Sequence, residues 1–382
     1  MSSPLPSLVW AADDQGARSQ VIDGVSWAAD TFMMPVFFLM GGFLACHSCG
    51  KMTASAFARQ RSARLGMPLL ISCLLVLPGV ALVWIFGWIC QGELTPQQLS
   101  RGQLKPAQWA QLRCWGHLWF LVDLWLFSLA AAVAVAFRRR VASRSDEAAT
   151  LRLPRATGSH RPLGRLAVVA ALLVISVYGL YWEPRTVIGF KSHYLPRLPH
   201  ILYYAPCFLL GWLLHAWKWS PGRATPAALL TGAALLFPGL WGMIARHVVT
   251  PFTGTDLVWL VATFTTCGWM AAGGLFAWAL RYQGSIPRPI AYLSRASLWI
   301  YLAHLPPVAL FQVSFRAVPG HGLLKAVATG ALSLAYVLAV YELTVRGQRL
   351  DTLLHGAGSK PAEPPALDTA AAAESDGLKS AA

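Results

Sequence analysis

The chain has 382 residues, 56% hydrophobic and only 12% charged, against a charged share of about 25% in ordinary soluble domains, so its composition excludes a soluble globular domain. Lysine and arginine outnumber aspartate and glutamate 31 to 16, but the basic residues fall in short gaps between apolar runs and not on one soluble face. That placement argues against nucleic acid as a partner and for a signal that orients the chain in a lipid bilayer.

The first 30 residues contain Asp13, Asp14, Asp23 and Asp30 and no basic head followed by an apolar stretch, so nothing in them reads as an export signal. Apolar stretches able to cross about 30 Å of hydrocarbon then run from 30 to 46, 66 to 90, 117 to 137, 163 to 182, 200 to 217, 226 to 245, 256 to 280, 290 to 315 and 323 to 345. Lipid offers backbone groups no water to bond with, and these lengths suit helices and not barrel strands. The expected fold is therefore all-α, a polytopic transmembrane helix bundle of about nine spans.

Basic residues mark alternate loops: Lys51, Arg59, Arg61 and Arg64, then Arg138, Arg139, Arg140 and Arg144. These loops are expected to be cytoplasmic. Continued alternation leaves residues 1–29 outside as an extracytoplasmic segment, with the membrane domain over 30–346 and a cytoplasmic tail over 347–382. The tail is rich in Ala, Ser, Pro and Glu from 359 onward and reads as largely disordered, and 138–162 reads as a cytoplasmic linker. An external N-terminus with nothing to export it implies that a tenth, preceding helix is missing.

After the first span, "CHSC" at Cys46–Cys49 looks like half a zinc site, but no second CxxC and no nearby HxxxH completes four ligands, so no metal is expected. The seven cysteines are scattered, several inside apolar runs, and read as packing residues. Ionisable groups inside spans are costly and are functional candidates by default. The short list of such groups in or near the membrane is His117, Asp123, Arg295, His304 and Glu342.

In "ARQRSARLGMPLL", Arg61 and Arg64 are three apart on one face at the inner surface, suited to a phosphorylated cytosolic ligand or to simple anchoring. In "GHLWFLVDLWLFS", Asp123 lies six positions from His117, which turns the two about 120° apart on a helix, so they form no ready dyad. In "SLWIYLAHLPP", Ser297, Tyr301 and His304 follow at intervals of four and three, which places them on one stripe. Pro306 and Pro307 lack the N–H that would bond carbonyls just upstream, so polar backbone is freed beside His304. His304 could face a cavity or bond a neighbouring helix; His117 could be an interface residue. Arg295 and Glu342, near the ends of their spans, could pair.

"VFFLMGGFLA", "FARQRSARLGMPLL", "GHLWFLVDLWLF", "ASLWIYLAHLP" and "VYELTVRGQRLDTLLHG" occur in the order seen in the acyltransferase 3 family of multi-span membrane proteins, and the chain most resembles its glucan-modifying branch. The resemblance runs over about residues 27 to 356. It implies an enzyme of the inner membrane of a bacterium that takes an acetyl or succinyl group from cytosolic acyl-CoA, a co-substrate and not a bound cofactor. The acceptor would be a hydroxyl of a glucan or another envelope carbohydrate across the bilayer. It also implies a preceding helix with a catalytic histidine, in keeping with the odd span count.

Carried over, His304 and His117 become the candidate catalytic residues. Tyr301 and Ser297 would be hydrogen-bonding partners, Asp123 would line the acceptor cavity with His117 at its outer mouth, and Arg61 and Arg64 would hold the donor. An imidazole with a pKa near 6.5 suits the base that acyl transfer needs. Two other classes stay open: a proton-coupled transporter or flippase of a sugar-linked substrate, and a non-catalytic membrane scaffold. A transporter would more often show paired broken helices in two related halves, and the sequence offers one break and no internal repeat.

Overall fold

The computed structural model describes residues 20–142, 162–187, 196–246 and 254–348 and, beyond these, only 350, 351 and 353. Thirteen α-helices make up nearly all of it: α1 (Gln20–Cys49), α2 (Ala54–Arg61), α3 (Met67–Cys90), α4 (Pro96–Ser100), α5 (Pro106–Leu112), α6 (Trp119–Ala142), α7 (Pro162–Trp182), α8 (Leu198–Ala216), α9 (Thr225–Arg246), α10 (Gly254–Arg281), α11 (Arg288–Ala303), α12 (Leu305–Arg316) and α13 (Gly322–Val340). Among the described residues there is no strand.

Every segment expected to cross the bilayer is helical. Seven helices are long and apolar enough to do so, and α11 with α12, bent by 65°, makes an eighth as a broken span. The ninth segment is α8, nineteen residues long, whose Pro199, His200, Pro206 and His215 dilute its apolar content and leave it outside that set. The chain is a multi-pass membrane protein. Large apolar side chains face outward along its length, among them Leu74 and Leu82 on α3, Leu163 and Val174 on α7, Leu235 on α9 and Leu324 on α13. In lipid such side chains need no protein cover.

Three boundaries differ from the sequence reading. The first span is a thirty-residue helix that begins at Gln20, so part of the segment assigned to 1–29 is helical. The second is longer than 66 to 90, because α2 runs on through a wide turn, Ser62–Gly66, into α3 as one 37-residue helix that carries Arg61 and Arg64. Of the 138–162 linker, residues 138–142 still belong to α6; the remainder up to 161 lies outside the described residues, as does the tail from 354 onward.

The core has two main parts that share α6. On one side Phe38 (α1), Trp119 (α6), Tyr203, Tyr204 and Phe208 (α8) and Phe264 (α10) pack together, with Phe38 in ring contact with Tyr204 at 4.9 Å and with Phe120 at 5.0 Å. On the other, Leu69 (α3), Leu118, Leu121 and Val122 meet Trp299 and Leu302 (α11) and Val337 and Tyr341. A third cluster, with Trp84, Trp88, Leu94 and Val313, closes one end of α3 beneath α4 and α5. There Trp84 donates its Nε1–H to Gln111 Oε1 at 3.1 Å.

Since lipid tails are as apolar as leucine, close backbone approach has to supply much of the helix association. Gly42 on α1 and Gly211 on α8 supply it reciprocally. A Cβ on Gly42 would overlap the Phe208 carbonyl, and one on Gly211 would overlap the Leu39 carbonyl.

Candidate active site

The chain approaches α6 through Cys114, Trp115 and Gly116. Gly116 has φ +55°, a left-handed conformation that glycine adopts at least cost. The turn delivers His117 and Leu118, both buried, against α11. His117 is only 9% exposed, deeper than an interface histidine.

Its Nε2 lies 3.0 Å from the Leu302 carbonyl oxygen. A carbonyl can only accept, so Nε2 carries the proton and, in the neutral ring, Nδ1 keeps its lone pair. That Nδ1 is buried and has no hydrogen-bond partner among the described residues. Tyr301 holds the same residue by its backbone, donating its hydroxyl proton to the His117 carbonyl at 2.7 Å.

His304 sits at the break between α11 and α12. Its Nδ1–H donates to the Tyr301 carbonyl at 2.8 Å, with the Ile300 carbonyl 3.2 Å away, which in the neutral ring leaves Nε2 as the bare nitrogen. The two imidazoles meet edge to face, centroids 5.2 Å apart and planes at 83°. Two rings are thus each locked by N–H to backbone and each present an unprotonated nitrogen. A hydroxyl brought against either can give up its proton.

The sequence reading put His117 at the outer mouth of a cavity that His304, about eleven residues or about 16 Å from the outer end of its span at helical rise, could face only from deeper in the membrane. The 65° bend removes that separation by turning α12 aside, so the head of α6 reaches the end of α11. Tyr301 joins them, as expected of a hydrogen-bonding partner, but its bond goes to backbone.

Ser297 does not join them. It is exposed, and its hydroxyl donates to the Ser294 carbonyl at 2.7 Å, the nearest acceptor on its own helix. Nor does Asp123 line an opening. Its Oδ2 meets His200 Nε2 at 2.5 Å, with both side chains 4% exposed. The rings of Trp119 and Tyr204 each stand 4.9 Å from that of His200. His200, at the head of the 200 to 217 span, was not among the residues singled out from the sequence. Glu342 also takes a partner other than Arg295, pairing with Arg346 one turn along at 2.9 Å.

Arg61 and Arg64 flank Ser62, which accepts from Trp125, six residues into α6, at 3.1 Å; nearer the far end of α6 Arg139 donates to the Met52 carbonyl at 3.4 Å. Arg61 is half-buried, with its guanidinium 5.3 Å from the Phe57 ring and Nη2 3.4 Å from Ser48 Oγ. Arg64 is exposed. In "CHSC", Cys46 and Cys49 are buried free thiols, and the His47 ring turns to His215 at 3.2 Å. Among the described residues no three possible metal ligands gather.

The model of the acyltransferase 3 family, an acyltransferase domain, matches residues 8–342. The chain belongs to that family and is a membrane acyltransferase. No curated protein and no solved structure matches it.

Proposed function

We propose that the protein is an inner-membrane O-acyltransferase of a bacterium that carries an acetyl or succinyl group from cytosolic acyl-CoA to a hydroxyl of an envelope carbohydrate. The observation that supports this reading is the His117–His304 pair, two backbone-locked imidazoles with bare nitrogens at one end of α6. Further along α6, where Trp125, six residues or about 9 Å from the head of the helix at helical rise, bonds Ser62, the arginine-rich turn offers guanidinium groups to phosphates. The motif resemblance to glucans biosynthesis protein C makes a periplasmic glucan the acceptor of choice.

In the proposed reaction one of the bare nitrogens takes the acceptor's hydroxyl proton as its oxygen attacks the thioester carbonyl carbon. The tetrahedral intermediate then collapses, the C–S bond breaks, and the departing thiolate takes up a proton to become free CoA. The products are an ester and a thiol, with no net oxidation. Donor phosphates at Arg61 and Arg64 leave the flexible arm of the donor to reach the histidines through the bundle.

The test is mass spectrometry of envelope glycans from cells with and without the gene. Loss of an acyl mass from a glycan supports the reading and identifies both group and acceptor. Unchanged glycans beside an altered distribution of a lipid-linked sugar favour the transporter reading.

A further inference from the structure

Leu302 is the residue whose carbonyl holds His117, and that carbonyl is available for a local reason. In a continuous helix the N–H four residues ahead would take it. Four residues ahead stands Pro306, which has no N–H. The nearest regular bonds lie two positions to either side: His304 N–H donates to Ile300 and Val308 N–H donates to His304, at 3.0 and 3.1 Å. Pro307 likewise strips a partner from Ala303, but among the described residues no side chain bonds that carbonyl, whereas Leu302 receives the His117 ring from 185 positions away.

We propose that Pro306 is a positioning residue for the acyl transfer: by withholding an N–H from Leu302 it reserves that carbonyl for His117 Nε2–H and so fixes which ring nitrogen stays bare. The hydrogen bond made by one ring nitrogen sets the protonation of the other. With a competing backbone donor at position 306, Nε2 loses its acceptor, and the ring is free to flip or to carry its proton on Nδ1. In that tautomer Nδ1 donates and can no longer accept a proton from a hydroxyl. Pro307 makes the bend as well but reserves nothing for the histidine. The two adjacent prolines therefore differ in kind, one serving the site and the other only the break.

This inference rests on His117 serving the reaction, and its test separates the two. Full-length wild type, Pro306→Ala and Pro307→Ala proteins are purified with 15N-labelled histidine, and the His117 ring is assigned by its loss in His117→Gln. In wild type and Pro307→Ala the His117 signals are expected to be those of a neutral ring protonated at Nε2. In Pro306→Ala they shift toward a mixture of tautomers. In parallel, Pro306→Ala is expected to lower kcat by about 10- to 100-fold, the range seen for losing the outer partner of a metal-bound histidine, with KM for the acceptor little changed and Pro307→Ala, which touches only the bend, losing less. An Nδ1-protonated ring in wild type, or equal loss in both proline variants, overturns the inference. A tautomer shift in Pro306→Ala with full transfer activity in both Pro306→Ala and His117→Ala supports the positioning and removes His117 from the reaction.

Discussion

Asp123 on α6 and His200 on α8 share a hydrogen bond of 2.5 Å with almost no solvent on either side chain. The pair ties the helix that begins at the candidate site to the helix that packs along α1. Removing one member of a buried pair strands the other, a cost of about 3–5 kcal/mol, whereas replacing both by apolar groups is often close to neutral. Asp123→Leu is thus expected to lower thermal stability in detergent sharply, Asp123→Asn less because its amide oxygen still accepts, and Asp123→Leu with His200→Leu less than Asp123→Leu alone. Melting temperatures equal to wild type for both Asn and Leu would show that the pair does not stabilise the fold.

The second prediction concerns the histidines themselves. Adjacent rings in one site imply that His117→Ala and His304→Ala each lower acyl transfer by about 10²- to 10⁴-fold, the usual share of a positioned acid or base. An effect confined to acceptor affinity, as a residue at an outer mouth would have, is not expected of a ring buried as deeply as His117. Steady-state transfer assays at matched membrane levels check this. Full glycan acylation by His304→Ala would take His304 out of the mechanism.

How much of this was legible in the sequence varies with how local each cause is. The nine helical segments and the broken span at Pro306 and Pro307 follow from apolar length and a missing N–H, both local. The stripe of Ser297, Tyr301 and His304 was only half informative, because a short hydroxyl can satisfy itself on its own helix, as Ser297 does. The Asp123–His200 pair lay beyond the sequence entirely: nothing in the spacing of either residue says which face of α6 meets α8. Arg295 and Glu342 show the converse, since Arg346, four residues on from Glu342, is the nearer partner.

A third prediction tests the α1–α8 contact that backs the first core. Gly42→Ala must displace the Phe208 carbonyl and Gly211→Ala the Leu39 carbonyl, and neither is the end of a flexible side chain. Overpacking of this kind typically costs about 1–3 kcal/mol. Gly239→Ala on α9, where an added Cβ meets nothing within 4 Å, serves as the control and should be neutral or slightly stabilising. Melting temperatures by intrinsic fluorescence decide it: equal shifts in all three would mean that helix propensity, not close approach, sets the response.

The last prediction separates donor binding from anchoring at the arginine-rich turn. Arg64 is exposed and free to meet a phosphate without disturbing a contact, whereas Arg61 already spends part of its guanidinium on Ser48 and the Phe57 face. Arg64→Gln is therefore expected to weaken acyl-CoA binding by about tenfold or more, the worth of a charge-assisted hydrogen bond, with the melting temperature unchanged. Arg61→Gln should weaken binding and also lower stability, since it loses packing along with charge. Arg138→Gln removes the same charge from the exposed end of α6 and serves as the control for the general positive field. Binding is read by titrating purified protein with acyl-CoA and with dephospho-CoA at two salt concentrations, because contacts between exposed charges are screened by salt. If Arg138→Gln loses as much affinity as Arg64→Gln, the turn acts only through its field. If neither loses any, both arginines are anchors that orient the chain, and the donor is held elsewhere.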